Sequence, residues 1–445
     1  SLYSNTNGIE NTTSGYQSMY SNTGGDRNVA NGYQSLYSNT FGNDNTATGY
    51  QALYSNNGDG NSAYGYQSLY LNSGGFNNTA SGYQSLRANT NGGNNTATGF
   101  FALYSNTTAN GNTATGKEAL YSNTTGEDNT ATGHGALYSN TDGYHNAAHG
   151  MFALSGNSLG YENTASGYWA LTNNSTGNSN TADGAYALNN NGVGSENTAM
   201  GKNALYNNQD GNVNTAVGYN ALTNNTLGFQ NTVIGANSLM TNTIGAYNTA
   251  VGYNTGPNAN NRYNVTCLGI DATGTGSDMV RIGNVFVGSI GGYQNWTNIS
   301  DGRFKENVQE NVPGLSFINQ LRPVTYKLNR YKINDANGVT ERRKKIISEA
   351  ANKNMVPQFL DGNQYSDITT GFIAQEVEAA AKKIGFDFSG VDKPKNSTDF
   401  YGLRYAEFVV PLVKGMQEQQ VMIDEQNKRI AALEKLVAEL TGKIK

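Results

Sequence analysis

Through the first 269 residues the apolar positions never gather into runs; single aliphatic residues return at a fixed interval through a background of Asn, Thr, Ser and Gly. The clearest marker is a glycine recurring every 17 residues, at Gly15, Gly32 and Gly49 and then, after one step of 16, from Gly65 to Gly269. Leucine follows it by four positions in most copies (Leu53, Leu137, Leu222). Asparagine precedes it by four in all but the last (Asn45, Asn129, Asn214), and alanine usually precedes it by two (Ala47, Ala131, Ala216). A second glycine lies seven before the first, as Gly42, Gly126 and Gly211, and is replaced only by Ala109 and Arg262. Self-similarity at one period identifies a repeat architecture before any element is assigned.

Each repeat offers two glycines at which the backbone can take φ > 0, with strand-like runs between and after them, such as Asn45-Thr46-Ala47-Thr48 and Gln51-Ala52-Leu53-Tyr54. The pattern predicts two short strands and two turns per repeat, stacked as a parallel β-solenoid or β-roll. Stacking in register sets the asparagines above one another as an amide ladder and lets the tyrosines beside leucine stack. The one deletion, in Asn57-Gly58 to Gly60-Asn61, is what a solenoid turn tolerates by shedding a loop residue. One Leu and one or two Ala contribute about 2–4 kcal/mol per repeat, against roughly 1–2 kcal/mol of ordering cost for each residue's backbone. A lone chain is therefore expected to be under-filled, with several chains packing their Leu/Tyr stripes together; a homotrimer is the natural closed solution for a fibre. Fifteen steps of about 4.8 Å make a rod on the order of 70 Å. The Asn-Thr-Ala-x-Gly-x-x-Ala-Leu pattern, from Ser1 to about Gly269, resembles the head repeats of trimeric autotransporter adhesins, whose period is shorter. That resemblance implies architecture and is silent on ligand.

The repeat gives way at Ile270-Asp271-Ala272-Thr273-Gly274-Thr275-Gly276-Ser277, which reads as a flexible turn. The alternating Val/Ile of Met279 to Ile290 reads as a strand pair capping the stack, since an open solenoid end is an exposed sheet edge. Composition then changes. Residues 1–299 carry six Lys+Arg against 14 Asp+Glu, a net of −8, whereas 300–445 carry 22 against 19, a net of +3; together they give the chain's −5. Neither half has the basic patch that draws nucleic acid. No apolar run approaches the roughly 18 residues of a membrane span, and Ser1 in place of Met places the numbering inside or after a processed precursor.

The second half reads as α/β. Gly314 to Leu321 fits a short helix, Pro323 to Leu328 a strand, and Ile373 to Ile384 an amphipathic helix with Phe372, Val377 and Ala380 in the core. Glu341 to Asn354 fits a charged helix, whose Arg342-Arg343-Lys344-Lys345 cluster reads as a solvated face. From Tyr405 the pattern becomes helical and then heptad. Val409, Met416, Ile423, Ile430, Val437 and Ile444 fall at a; Leu412, Gln419, Gln426, Leu433 and Leu440 fall at d. This predicts a coiled coil of about five heptads, in which two polar d positions cost stability and specify register. Ile at a with Leu at d leans by itself to a dimer.

The junction Asn298-Ile299-Ser300-Asp301-Gly302-Arg303-Phe304-Lys305 holds a serine five residues before a lysine. The bland reading is an N-cap or turn serine and a solvated lysine. Ser300-Asp301-x-Arg303-x-Lys305, followed by Leu321-Arg322-Pro323-Val324-Thr325-Tyr326 and Gly371-Phe372-Ile373-Ala374-Gln375-Glu376-Val377, resembles the intramolecular chaperone auto-processing domain. That domain closes phage tailspikes, tail fibres and neck appendages, and occurs in the myelin regulatory factor family. The resemblance covers Ser300 to about Lys445. It implies a domain that trimerises, helps the upstream fibre fold, and cuts itself off before the serine. Carried over, Ser300 is the nucleophile, Lys305 its general base, Ile299-Ser300 the scissile bond, and Asp301 and Arg303 supporting residues of the motif. A serine hydroxyl needs a base to take its proton, and a lysine serves only when neutral. The spacing leaves open whether the lysine acts within its own chain or on a neighbour.

Other residues invite chemistry and are better read as structure. Cys267 sits two before Gly269, the alanine slot, and is expected to be a small inward ladder residue; one cysteine forms no intrachain disulfide. His145 and His149 are four apart, but in a β repeat that spacing runs along strand and turn, and no carboxylate cluster completes a metal site. Sequons such as Asn123-Thr124-Thr125 follow from the Asn/Thr-rich repeat. Glycan hydrolysis needs a pair of placed carboxylates, and the acidic residues fall at variable turn positions such as Asp44, Asp59 and Glu127.

The expectation is thus a mainly β shaft (1–269), capping strands and linker (270–299), a chaperone auto-processing domain of α/β class (300–404) and a C-terminal coiled-coil helix (405–445). It describes an extracellular, cell-surface or tail-fibre protein, a homotrimer that performs one serine-peptidase cut per chain and uses no metal or cofactor. Its partners are further copies of itself and a surface glycan or other receptor. The rivals are a non-cleaving trimeric fibre or adhesin with a permanent C-terminal clamp, and a glycan-binding tailspike.

Overall fold

In each repeat three residues form a strand, Thr46–Thr48 in one turn and Thr130–Thr132 in another, with the middle alanine buried between outward threonines. The computed structural model describes residues 2–291, 293, 297–341, 344 and 364–443. Within it the chain forms two compact units, Ser1–Asn284 and Val285–Lys445. Strands one repeat apart pair in parallel: Ala47 sits between Ala30 and Ala63. Each turn of the coil therefore adds one strand to a 17-stranded parallel sheet. Gly49 ends its strand at φ 137, and a Cβ there would stand 2.4 Å from the Gly65 carbonyl oxygen, so this position needs glycine twice over.

The expected second strand does not form. Gln51 and Leu53 take φ of 52 and 50, an alternation incompatible with an extended chain. Burial explains why. A strand would send Ala52 and Leu53 to opposite faces, yet both are fully buried. The irregular backbone still ladders from turn to turn: the Gln51 N–H donates to the Tyr33 carbonyl at 2.8 Å and the Leu53 N–H to the Ser68 carbonyl at 3.0 Å.

The core is filled from within one chain. Leu53, Leu69, Leu86 and their equivalents have no exposed area, so the leucines are not shared between chains as the sparse apolar content suggests. Asparagine supplies the missing volume. One ladder runs through the residue before each strand: Asn28 Oδ1 accepts from the Asn45 N–H at 3.0 Å, while Asn45 Nδ2 donates to the Gly58 carbonyl at 2.9 Å. A second ladder, seven residues after the strand-ending glycine, passes Asn39 Nδ2 to Asn22 Oδ1 at 3.0 Å and to the Gly42 carbonyl at 2.9 Å. Buried amides that are fully partnered carry no desolvation penalty of the kind an orphan would.

The second glycine of the repeat serves this ladder and does not supply a positive φ: a Cβ on Gly42 would meet Asn39 Oδ1 at 2.4 Å. Positive φ falls instead on Asp44 and its equivalents. The deleted residue is absorbed here. Asn56 reaches the Gly58 carbonyl across two residues, where other turns span three. Outside, Tyr33, Tyr50, Tyr66 and Tyr83 stack with ring centroids 5.0–5.1 Å apart, and Tyr37, Tyr54 and Tyr70 form a parallel column at 5.0–5.1 Å.

Two expectations at the shaft's end change. The 270–277 stretch is a packed turn, with Asp271 to Gly276 buried and Thr273–Gly274 paired in parallel with Gly256–Pro257. Met279–Ile282 is a single strand, paired with Val265–Leu268, and no partner strand follows it among the described residues. Cys267 is buried against Ala250 in register, an inward ladder residue.

The second unit gathers its core from Phe317, Val377, Ala380, Ala381, Phe388, Val391 and Phe408. The short helix Leu315–Ile318 contributes Phe317, and its Leu315 N–H donates to Glu418 Oε2 at 2.8 Å on the long C-terminal helix. Helix Ala374–Lys383 turns Val377, Ala380 and Ala381 inward and stops at Ile384, with Gly385 at φ 68 closing it. Val324–Tyr326 pairs antiparallel with Thr369–Gly371. A 3₁₀ turn, Tyr405–Phe408, leads into the helix Val409–Lys443. The Glu341–Asn354 helix lies outside the described residues, apart from Glu341 and Lys344, which pair at 2.7 Å; Ile444 lies outside them as well. No helix among the described residues is long and apolar enough to cross a membrane.

Candidate functional site

The junction residues fold back on themselves. The Asp301 carboxylate accepts from the Arg303 N–H at 2.9 Å and so caps a 3₁₀ turn over Gly302–Phe304. The Phe304 N–H reaches the Asp301 carbonyl at 3.1 Å and the Lys305 N–H the Gly302 carbonyl at 3.2 Å. That single turn reverses the chain enough for Lys305 Nζ to donate to Ser300 Oγ at 2.8 Å. The serine and lysine that the sequence sets five apart are in contact within one chain.

Asp301 and Arg303 form the frame of the turn. Arg303 Nε lies 3.0 and 3.1 Å from the two carboxylate oxygens, and this pairing, with the backbone bond, holds the Asp301 carboxyl below its ordinary range and raises the guanidinium. Both groups are therefore occupied with each other and stand apart from the Ser300–Lys305 contact. Ser300 and Lys305 are exposed in the single chain, and Ile299, on the other side of the bond between 299 and 300, is 90% exposed.

The two other motifs of the segment meet each other. Val324 of one pairs with Gly371 of the other, and Arg322 Nε donates to Glu376 Oε2 at 3.1 Å. The Phe372 N–H donates to the Tyr405 hydroxyl at 3.1 Å, tying the same strand end to the start of the long helix. The Arg322–Glu376 pair was legible only as two separated motifs; their shared fate follows from the antiparallel pairing.

The histidines do not come together as ligands. His145 sits at a turn with Nε2 3.7 Å from Asp128, while His149 stands outward in a strand, in register with Thr132 and Ser166. Asp44 is bound to Arg27 at 2.7 Å, and Glu127 accepts from Asn110 at 2.9 Å. Asn123 of the sequon is fully buried in the second amide ladder.

A parallel β-solenoid shaft followed by an α/β unit that opens on a serine–lysine contact and ends in a long helix defines the class: a fibre with a C-terminal folding domain. Residues 300–386 match the family described as chaperone of endosialidase, a family of autoproteolytic intramolecular chaperone domains. The shaft with this domain at its C-terminus is consistent with a tailspike or tail-fibre protein. No curated protein matches the chain.

Proposed function

We propose that this protein is a homotrimeric tail-fibre or surface-fibre shaft, structural or adhesive, whose C-terminal domain assists assembly and then severs itself between Ile299 and Ser300. The observation that carries the reading is the 2.8 Å contact of Lys305 Nζ with Ser300 Oγ, directly after an exposed Ile299 and at the first residue of the family match. In the step we infer, neutral Lys305 takes the Ser300 hydroxyl proton as Oγ adds to the Ile299 carbonyl carbon. The C–N bond then breaks, the Ser300 nitrogen receives the proton, and water hydrolyses the resulting ester to an Ile299 carboxylate and a free Ser300 amine.

Assembly is part of the same reading. The helix Val409–Lys443 leaves Met416, Ile423, Ile430, Leu433, Val437 and Leu440 exposed in one chain, an unpartnered heptad seam. A domain that assists assembly acts before it is removed, so cleavage is expected to follow assembly. A particle-borne or extracellular location and a surface glycan or other receptor complete the proposal.

The test is the intact mass, under denaturing conditions, of freshly expressed full chain beside Ser300→Ala. Fragments ending at Ile299 and beginning at Ser300 in the wild type, with one full-length mass for the variant, support self-cleavage. Full-length mass in both sinks the peptidase reading and leaves a trimeric fibre with a permanent clamp.

A further inference from the structure

The outward column of the sheet changes character along the shaft. In the first eleven strands the last position is Ser, Asn, Thr, Tyr, His or Asp; in the final six it is Met200, Val217, Ile234, Val251, Leu268 and Ile282, each paired in register with the next. The switch is abrupt, since Met200 sits directly beside Asp183. These side chains are not core: Met200 is 44% exposed, Ile234 45%, Val251 36% and Ile282 37%. Threonines 198, 215, 232, 249 and 266 flank them on the same face, and no charged residue stands in either column from Thr198 to Leu268.

We propose that this aliphatic ladder is the face on which the shafts of further copies of this chain meet, parallel and in register. The inference rests on the trimeric reading above and names the surface that reading leaves open. Spacing selects the occupant. Strands in the sheet repeat every ~4.8 Å, whereas a helix presents its rows at a pitch of about 5.4 Å, so a helix falls half a rung out of step within four or five rungs. A second copy carries the same ladder and meets every rung. Six such side chains expose on the order of 400 Å² per chain, a contiguous apolar patch of the size that marks an interaction site. Shared among three copies it gives roughly 400 Å² to each pairwise contact, so the ladder forms the apolar centre of an interface that the flanking threonines and tyrosines complete. The polar N-terminal turns then stay free to face solvent or a ligand.

The experiment uses the full chain with Cys267→Ala, the residue most turns carry at that place, and adds Ile234→Cys, or Leu227→Cys on the loop side of the preceding turn. A short bis-maleimide bridges thiols, denaturing mass spectrometry reads covalent dimers, and light scattering reads the mass of the untreated assembly. The expected result is a trimer in which Ile234→Cys cross-links between chains about tenfold faster than Leu227→Cys, because a bridge forms only where the linker reaches from one copy's thiol to the next. Val251→Cys gives the same reading should Ile234→Cys fail to fold. A trimer in which both ladder positions cross-link no faster than Leu227→Cys overturns this face and leaves the trimer standing, whereas a monomer overturns both.

Discussion

The side-chain amide of Asn242 donates to Asn225 Oδ1 at 2.9 Å, and its own Oδ1 is buried with no partner. Every earlier rung of this ladder hands its oxygen to the next asparagine; after Asn242 the position one repeat on is Ala259. Ala259→Asn is expected to extend the ladder by one rung and to stabilise the last shaft turns by about 1 kcal/mol, the net worth of one buried hydrogen bond. Hydrogen exchange of the amides between 239 and 262 should slow in the variant. Unchanged or faster exchange there means that the backbone of this irregular turn cannot present the side chain.

Removing a rung from the middle should hurt more than adding one at the end helps. Asn123 Nδ2 serves two buried acceptors, Asn106 Oδ1 and the Gly126 carbonyl, both at 2.9 Å. Asn123→Ala orphans Asn106 Oδ1, while the Gly126 carbonyl keeps the Asn112 side-chain amide at 2.9 Å, and the change is expected to cost roughly 1–3 kcal/mol, the penalty of one unsatisfied buried group. Asn123→Asp should fare no better, since a buried carboxylate offers no donor to either acceptor. Denaturant unfolding of the shaft checks both, and an Asn123→Ala loss below that of an exposed Thr115→Ala control rules out the amide ladder as a main source of order.

Much of this was legible because repetition turns sequence into geometry. A period of 17 with Asn, Ala and Gly in fixed places specifies a coil that stacks the Asn-Thr-Ala strand from turn to turn with a ladder of amides, and Cys267 in an alanine slot could be read as buried. What failed was the second strand, because propensity assigns Gln51 to Tyr54 an extended chain while packing needs Ala52 and Leu53 on one side. The leucine stripe was misplaced for the same reason: the second asparagine ladder, present in the sequence as Asn22, Asn39 and Asn56, was not counted as core volume. At the junction, spacing alone could not bring Ser300 to Lys305. The turn capped by Asp301 does, and that cap depends on one carboxylate.

Asp301 should therefore act as a positioning residue for the proposed cut. Its side chain holds the Arg303 N–H and guanidinium and, through them, the turn that returns Lys305 to Ser300. Asp301→Ala is expected to slow cleavage about tenfold, and Asp301→Asn, which keeps the N-cap, to recover most of the rate. Lys305→Met should fall by at least about 100-fold, the usual worth of a general base. Time courses of intact mass measure all three. Equal rates for Asp301→Ala and wild type would show that the turn forms without its cap.

Acid should loosen the second unit before it touches the shaft. Glu378 is held down to about 2 by Lys382 first, then the Tyr401 hydroxyl and Lys393. A carboxylate depressed in the folded state contributes stability above its unfolded value near 4.3, and that contribution is lost as pH falls from there toward 2. Hydrogen exchange in the helix Ala374–Lys383 should accelerate across that window. In Glu378→Gln the exchange should start faster at neutral pH and depend less on acid; a variant with the wild-type acid profile would assign the effect to other carboxylates.

The C-terminal helix offers the sharpest contrast between stability and specificity. Gln419 and Gln426 interrupt the apolar d positions between Leu412 and Leu433, and Met416, Ile423 and Ile430 stand exposed at a beside them. In an assembled seam two buried amides cost stability unless they bond to one another, and they penalise shifted registers. Gln419→Leu with Gln426→Leu is expected to raise the melting temperature of the helical assembly while broadening the range of oligomers seen by sedimentation. Leu433→Asp should do the reverse, dissociating the helices without altering the Phe317 core, from which Leu433 is absent. If the double leucine variant stays a single species at the wild-type melting temperature, the glutamines are not in a seam, and the exposed heptad face must be covered by something other than copies of itself.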